Sequence, residues 1–505
     1  MSTTDPATVD AFLRHAAPDW RMGGGPHQIR HRHTAERILR QHPEIAQTNL
    51  FTRIVCGDRD GVERILARSP FDARQVGGPK HWPPLLYLCA GRLTLPVFAE
   101  HSVAIARMLL DAGADPNAYF WGGNELIHYT ALTVTIGQGE ERAPLHPQAE
   151  ALAALLLERG AEPYDGQVFY NISQGALDDE IIWLLDLIYD RAVRLGRQAD
   201  WDDPEWKMID MGGYGHGARF ILGHAVRDNQ LRLAEWALSH GASANAAAAR
   251  DKRWPKHTLL DEAFHRGLIK MAALLERHGG RRGDAPLESA HAFASAALRL
   301  DRDAARAMLA DHPEYLSDPG PLRVAAQTDR VDAAAFLLDL GVSPDVDVQF
   351  GGRPPDGRKD SGERALHVAA YAGSARVAQL LVDRGAAIDP VDASHDGTPL
   401  WWAMWGRRQA TIDVLAPRSV DLWALSAIGR LDRMRAVVAQ IPESAQWTGE
   451  STPLFWLPED EDVALEIIDL LLAHGADKGF KRPDGKTAAD IAAARAMDRA
   501  AARLA

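Results

Sequence analysis

A short phrase recurs along this 505-residue chain: two leucine-like residues, two or three polar ones, then glycine, usually with alanine behind it. It stands at LLDAGADPNA (109–118), LLERGAEP (156–163), ALSHGASANA (237–246), LLERHGG (274–280), LLDLGVSPD (337–345), LLVDRGAAID (380–389) and LLAHGAD (471–477). Glycine accepts the left-handed backbone that closes many helices at no steric cost, so each copy reads as a helix end. The segment ahead of such an end is clearest in ALHVAAYAGSARVAQLL (365–381). There Leu366, Ala369, Ala370, Val377, Leu380 and Leu381 recur at helical spacing on two short stretches broken at Gly373, which predicts two helices packed face to face across small alanines. One such hairpin cannot bury its own apolar faces and must stack on neighbours.

Composition narrows the class further. Hydrophobic residues at 46% and charged residues at 25% are ordinary for a folded, water-facing chain. The net charge of -13, with no long basic cluster, argues against a nucleic-acid partner. The longest apolar run, Ile181 to Leu185, is far short of the roughly 20 residues of a membrane span. The start, MSTTDPATVDAF, lacks the basic end and apolar stretch of a secretory signal. Two cysteines, Cys56 and Cys89, give no disulfide framework, so the expected compartment is the cytoplasm.

The repeated unit resembles the ankyrin repeat family, whose signature is TPLHxA with a period of about 33. ALHVAA (365–370) matches from the leucine on, TPLWWA (398–403) and TPLFWL (452–457) keep Thr-Pro-Leu, and TLLDEAFHRG (258–267) and PLRVAAQTD (321–329) keep the frame. Weaker copies start at residues 50, 84, 130, 221, 293 and 422, and DGKTAADIA (484–492) looks like a terminal repeat. The resemblance implies an all-α solenoid of stacked helix-turn-helix units with β-turn or finger loops, about a dozen repeats in all. The expected organisation is an N-terminal degenerate or capping repeat over 1–49, repeats with insertions over 50–286, further repeats over 287–481 and a C-terminal capping repeat over 482–505. The segment 172–219 shows its two-helix pattern only in part.

The intervals from Gly113 to Gly160 and from Gly341 to Gly385 exceed the family period, so the surplus is expected in loops. NAYFWGGNELIHY brings Tyr119, Phe120, Trp121, His128 and Tyr129. DWDDPEWKMIDMGGYGHG brings Trp201, Trp206 and Tyr214 beside five acids, and VQFGGRPPDGRKDSGER is rich in glycine, proline and charge. In the family's architecture such insertions fall on one rim of the stack.

Candidate chemistry is sparse. GFKRPDGKT (479–487) has five residues between its glycines where a phosphate-binding loop needs four, and it reads as the turn before the last repeat. His27, His31 and His33 form HxxxHxH, but Arg30 and Arg32 interleave and Gly23 to Pro26 suggests a loop, so a surface cluster is expected rather than a metal site. The run Glu459 to Asp462 reads as a solvated helix start. No GxSxG elbow, HExxH or paired CxxC occurs. No catalytic residue, metal or cofactor is therefore assigned. The resemblance gives His367, at the signature histidine, a loop-bracing role, and the same caution covers His224 and His265.

Carried over by the repeat frame, the two positions after the alanine pair face the concave groove: Val55 and Cys56, Gly137 and Gln138, Arg227 and Asp228, His265 and Arg266, Gln327 and Thr328, Tyr371 and Ala372, Trp405 and Gly406. In TPLWWAMWG, Trp402 then falls on an inward position, Trp401 replaces the signature histidine so that apolar packing must hold its loop, and Trp405 faces the groove. The expected function is a non-enzymatic scaffold that binds another protein through this groove and the aromatic fingers. The partner-binding candidates are Trp405, Tyr371, Gln327, His265, Arg266, Arg227, Tyr119, Trp121, Trp82 and Trp206. The alternative is a small-molecule or catalytic site built where fingers around Trp82, Trp121, Tyr129 and Trp206 converge.

Overall fold

In the computed structural model the described residues are 5–19, 25–121, 128–139, 143–173, 178–198, 217–246, 257–283, 286–348 and 360–505. The second and third insertions fall mostly outside them, and with the second goes Trp206. The described chain is mostly helical, with a single two-stranded sheet among those residues. Two compact units result: residues 1–171, 186–191 and 420–505 form the first, and 172–185 with 192–419 the second.

In the first unit the helices Pro6–Ala16, Leu50–Cys56, Pro84–Ala90 and Ala131–Ile136 contact one another in turn, while Arg59–Arg68, Pro96–Asp111 and Ala149–Glu158 do the same behind them. All seven glycines of the recurring phrase, at 113, 160, 241, 279, 341, 385 and 475, have positive φ, as their sequence context requires. At Gly57, which ends the helix Leu50–Cys56 with φ 75°, an added Cβ would lie 2.6 Å from the backbone of Phe98. Glycine is needed there for conformation and for space.

The N-terminal segment departs from its expected form. The loop expected over the HxxxHxH histidines is instead a helix, Gly25–Gln41, with Pro26 in its first turn, where a missing N–H costs nothing. This helix meets the last repeats of the same unit. The buried Arg37 donates from Nε to the carbonyl of Arg495 at 2.7 Å and pairs with Glu459 at 3.2 Å. Arg495 reaches the other Glu459 oxygen at 2.8 Å, and Arg30 lies 3.7 Å from it while covering the Trp456 ring. Glu459, read from sequence as part of a solvated helix start, is the shared anion that ties the two ends of the chain. TPLFWL also differs: it forms only the short 3-10 turn Pro453–Phe455, because Pro458 disfavours helical backbone at Leu457 and ends the segment.

In the second unit the helices Gly217–Arg227, Leu259–His265, Ser289–Leu298, Gly320–Gln327, Ala365–Ala372 and Pro399–Trp405 each contact the next. His367 is fully buried; its Nδ1 accepts from the Arg364 amide at 3.0 Å and its Nε2 donates to the Gly397 carbonyl at 3.2 Å. This is the loop-bracing role its position implies. Burial above all holds the imidazole neutral, with its pKa lowered to about 4.

One repeat later Trp401 occupies the signature position, and the brace comes from elsewhere. The buried Asp392 carboxylate accepts from the amides of Ser394, His395 and Gly397 and from the indole Nε1 of Trp402 at 3.0 Å. The expectation that apolar packing alone holds this loop is thus corrected. Trp402 is buried as its inward position requires, edge-on to His367 and His395.

Candidate functional site

Two places gather the candidate residues. The first is the finger of the first unit, where strand β1 (Tyr119–Trp121) pairs antiparallel with β2 (His128–Thr130) in the register Tyr119 to Thr130, Phe120 to Tyr129 and Trp121 to His128. Strand alternation sends Phe120 inward and Tyr119 and Trp121 outward. The base is closed by the Ala131 amide on the Ala118 carbonyl at 2.8 Å. Thr130 caps the helix Ala131–Ile136 and donates to the buried Asp165 at 2.5 Å, with Thr133 donating to the same oxygen at 3.1 Å. Burial raises the Asp165 pKa, and those hydroxyls and the amides of Val168 and Gln167 act against it.

The inner face of the hairpin is a ladder of rings. Phe120 stacks on the buried Trp82 at 4.5 Å between centroids and lies 5.3 Å from Tyr129; Trp82 in turn meets Tyr87, and Tyr87 meets Phe51. Tyr87 donates to the Gly77 carbonyl and accepts from the Lys80 amide. The Lys80 ammonium sits 4.7 Å over Trp82 and pairs with the buried Asp19 at 2.8 Å. On the outer face, Tyr119 at 49% and Trp121 at 47% exposure stand edge to face at 5.3 Å. The exposed His128 is edge-on to both. Of the rings expected to converge, Trp82 and Tyr129 therefore meet through Phe120, while Trp121 faces the other way.

The second place is the inner face of the second unit. Arg227 grips its neighbour Asp228 through two bonds, Nε to Oδ1 at 2.9 Å and Nη2 to Oδ2 at 2.7 Å. Gln327, 99 residues further on, donates to the same Oδ1 at 2.8 Å. Arg266 bonds the Arg227 carbonyl at 3.0 Å and the Glu262 carboxylate at 2.9 Å. Arg330 adds a link to the Leu298 carbonyl at 3.1 Å and another to that of Gly267. Burial would raise the Asp228 pKa, but the charge and hydrogen bonds of Arg227 bring it below the ordinary carboxylate value. His265 and Arg266 are buried, and Arg227, Gln327, Tyr371 and Trp405 are half-buried. Of the residues that the repeat frame assigns to one groove, Arg227, Asp228, Arg266 and Gln327 are bonded to one another, while His265 bonds Ser295.

Sequence reasoning passed over Asp228 as a hub and the ring ladder beneath the finger. The aromatic run YFW marks the finger in the sequence but not which ring turns inward, and nothing local signals a bond across 99 residues.

Residues 361–393 match the family model described as ankyrin repeat. That segment is an ankyrin repeat, and repeats of this kind generally mediate protein–protein interaction. No match is found among curated proteins. Among solved structures, one that matches is a chain from the structure described as the predatory endopeptidase Bd0816 from Bdellovibrio bacteriovorus in complex with the immunity protein Bd3460. It is 22% identical over 42% of this chain and 96% of that one, with a TM-score of 0.25. Among the described residues no helix is long and apolar enough to cross a membrane.

Proposed function

We propose that this protein is a non-enzymatic, cytoplasmic interaction scaffold, a solenoid of about a dozen ankyrin repeats with its ends as capping units, that binds a partner protein chiefly through the aromatic finger. The observation that carries the reading is the outer face of β1 and β2. Three aromatic rings are held in fixed mutual geometry on a hairpin whose other face is anchored by the Phe120–Trp82 stack, yet Tyr119 and Trp121 keep about half their surface. Rigid, partly exposed Tyr and Trp side chains are the usual anchors of protein interfaces, because they lose little conformational entropy on docking and bury much area. Trp405 and Tyr371, half-buried in the second unit, serve as secondary contacts, whereas Arg227, His265, Arg266 and Gln327 act mainly to hold the inner face.

The test is affinity capture from the native cell with three baits: the parent chain, Trp121→Ala combined with Tyr119→Ala, and Gln327→Ala. The reading expects one protein that is retained by parent and Gln327→Ala and lost with the finger variant. Retention by the finger variant with loss from Gln327→Ala would move the interface to the inner face.

A further inference from the structure

Three side chains with metal-ligating chemistry meet inside the second unit, and one of them, His265, also borders the inner face described above. We propose that His257, Asp261 and His265 bind one divalent transition ion of the zinc type, through two imidazole nitrogens and one carboxylate oxygen. Thr258 caps the helix Leu259–His265, which sets Asp261 and His265 one turn apart on a single face and folds His257 back over the first turn. One ligand atom from each residue lies within 4.8 Å of the other two, and His257 Nδ1 is 3.8 Å from Asp261 Oδ2. Zinc bonds of about 2.0–2.1 Å put tetrahedral ligand atoms roughly 3.3 Å apart, so the set must draw in on binding, by roughly 1.5 Å at most. All three side chains are buried.

The helix cap does not explain the histidines. The same reciprocal box recurs at Thr487 and Asp490, where the Thr487 amide and hydroxyl both donate to Asp490 at 2.8 Å. There the residue before the threonine is Lys486 and the one four after the aspartate is Ala494. In the repeat at 258 those two positions are His257 and His265, added to a box that is complete without them.

The surroundings suit a cation. His265 Nδ1 lies 2.9 Å from the Ser295 hydroxyl, and an imidazole that donates there carries its lone pair on Nε2, the usual second partner of a metal-bound histidine. The Asp261 carboxylate is oriented by the Thr258 and Gly283 amides, each at 2.9 Å from Oδ2. Two neutral imidazoles and one carboxylate carry one negative charge, less than a divalent ion needs for neutrality. The Arg282 guanidinium, 3.6 Å from Asp261 Oδ1 and over the Phe264 ring, opposes the ion; its side chain is 46% exposed, so water screens that opposition. A nitrogen-rich set of this kind selects zinc over calcium or magnesium, and three protein ligands leave a fourth position for water.

The full chain, stripped with a chelator, is titrated with zinc chloride alone by calorimetry at neutral pH. The proposal expects one zinc per chain, bound at least about tenfold more weakly by His257→Gln combined with His265→Gln. The variant His15→Gln with His31→Gln, which alters the close imidazole pair of the first unit (Nδ1 to Nδ1 2.6 Å), keeps the site. Should the first double variant fail to fold, His257→Gln alone decides, because His257 lies outside the helix and leaves the Thr258–Asp261 box in place. No uptake by the parent chain, uptake undiminished by either His257 variant, or uptake lost only with His15 and His31 each overturns the proposal.

Discussion

The finger of the first unit and the inner face of the second are both built from residues that the repeat frame or an insertion puts on binding surfaces, but they use their chemistry in opposite ways. On the inner face most polar groups are answered within the unit: Asp228 takes Arg227 and Gln327, and Arg266 takes Glu262 and the Arg227 carbonyl, with only its Nε unmatched. On the finger, one side of a strand is answered by a ladder of rings and the other side is left to solvent. Position in a repeat therefore does not decide how much of a residue's hydrogen-bonding and packing capacity is used within the fold.

The largest expected effect breaks the closed side. Asp228→Ala leaves the Arg227 guanidinium without its carboxylate and the Gln327 amide without its acceptor. Losing the charge-assisted bonds from Arg227 and the one from Gln327 costs roughly 3 kcal/mol, to be read as a lowered urea midpoint, with partner capture at permissive temperature unchanged.

A second test uses pH. His367 is held neutral by burial with its pKa lowered to about 4, against about 6.5 in the unfolded chain. Between those values the unfolded state binds a proton that the folded state refuses, so stability falls as pH drops from about 6.5 to about 4 and levels off below. The loss amounts to roughly 3 kcal/mol by linkage, and His367→Gln should remove that part of the slope in urea curves taken at pH 7 and pH 5.

Next in size is Trp121→Ala. Its effect on stability should stay within about 0.5 kcal/mol, as for an exposed side chain, while partner affinity weakens by about 2 kcal/mol, roughly thirtyfold. A large loss of stability with little change in affinity would invert the comparison. The smallest effect is expected from Gln327→Ala, about 1 kcal/mol for one hydrogen bond, measured by the same denaturation.

Much of the fold was legible because ankyrin-type units repeat locally. The glycine at each phrase, the small alanines between paired helices, the bracing by His367 and the burial of Trp402 all follow from spacing within one unit and its neighbour. What was not legible is long-range. Gln327 meets Asp228 three helix pairs away, and Arg37 meets Arg495 458 residues away, and no periodicity encodes such encounters. Glycine and proline before His27 suggest a loop from sequence alone, whereas they mark a helix start. The finger was visible as an aromatic insertion, but only strand register separates Phe120, which anchors it, from Trp121, which faces out.

The most direct measurement is hydrogen–deuterium exchange of the full chain with and without the captured partner. The account expects new protection centred on residues 117–130, with exchange over 320–327 and 365–372 unchanged. Protection confined to those two inner helices, with the finger exchanging as it does in the free protein, would contradict it.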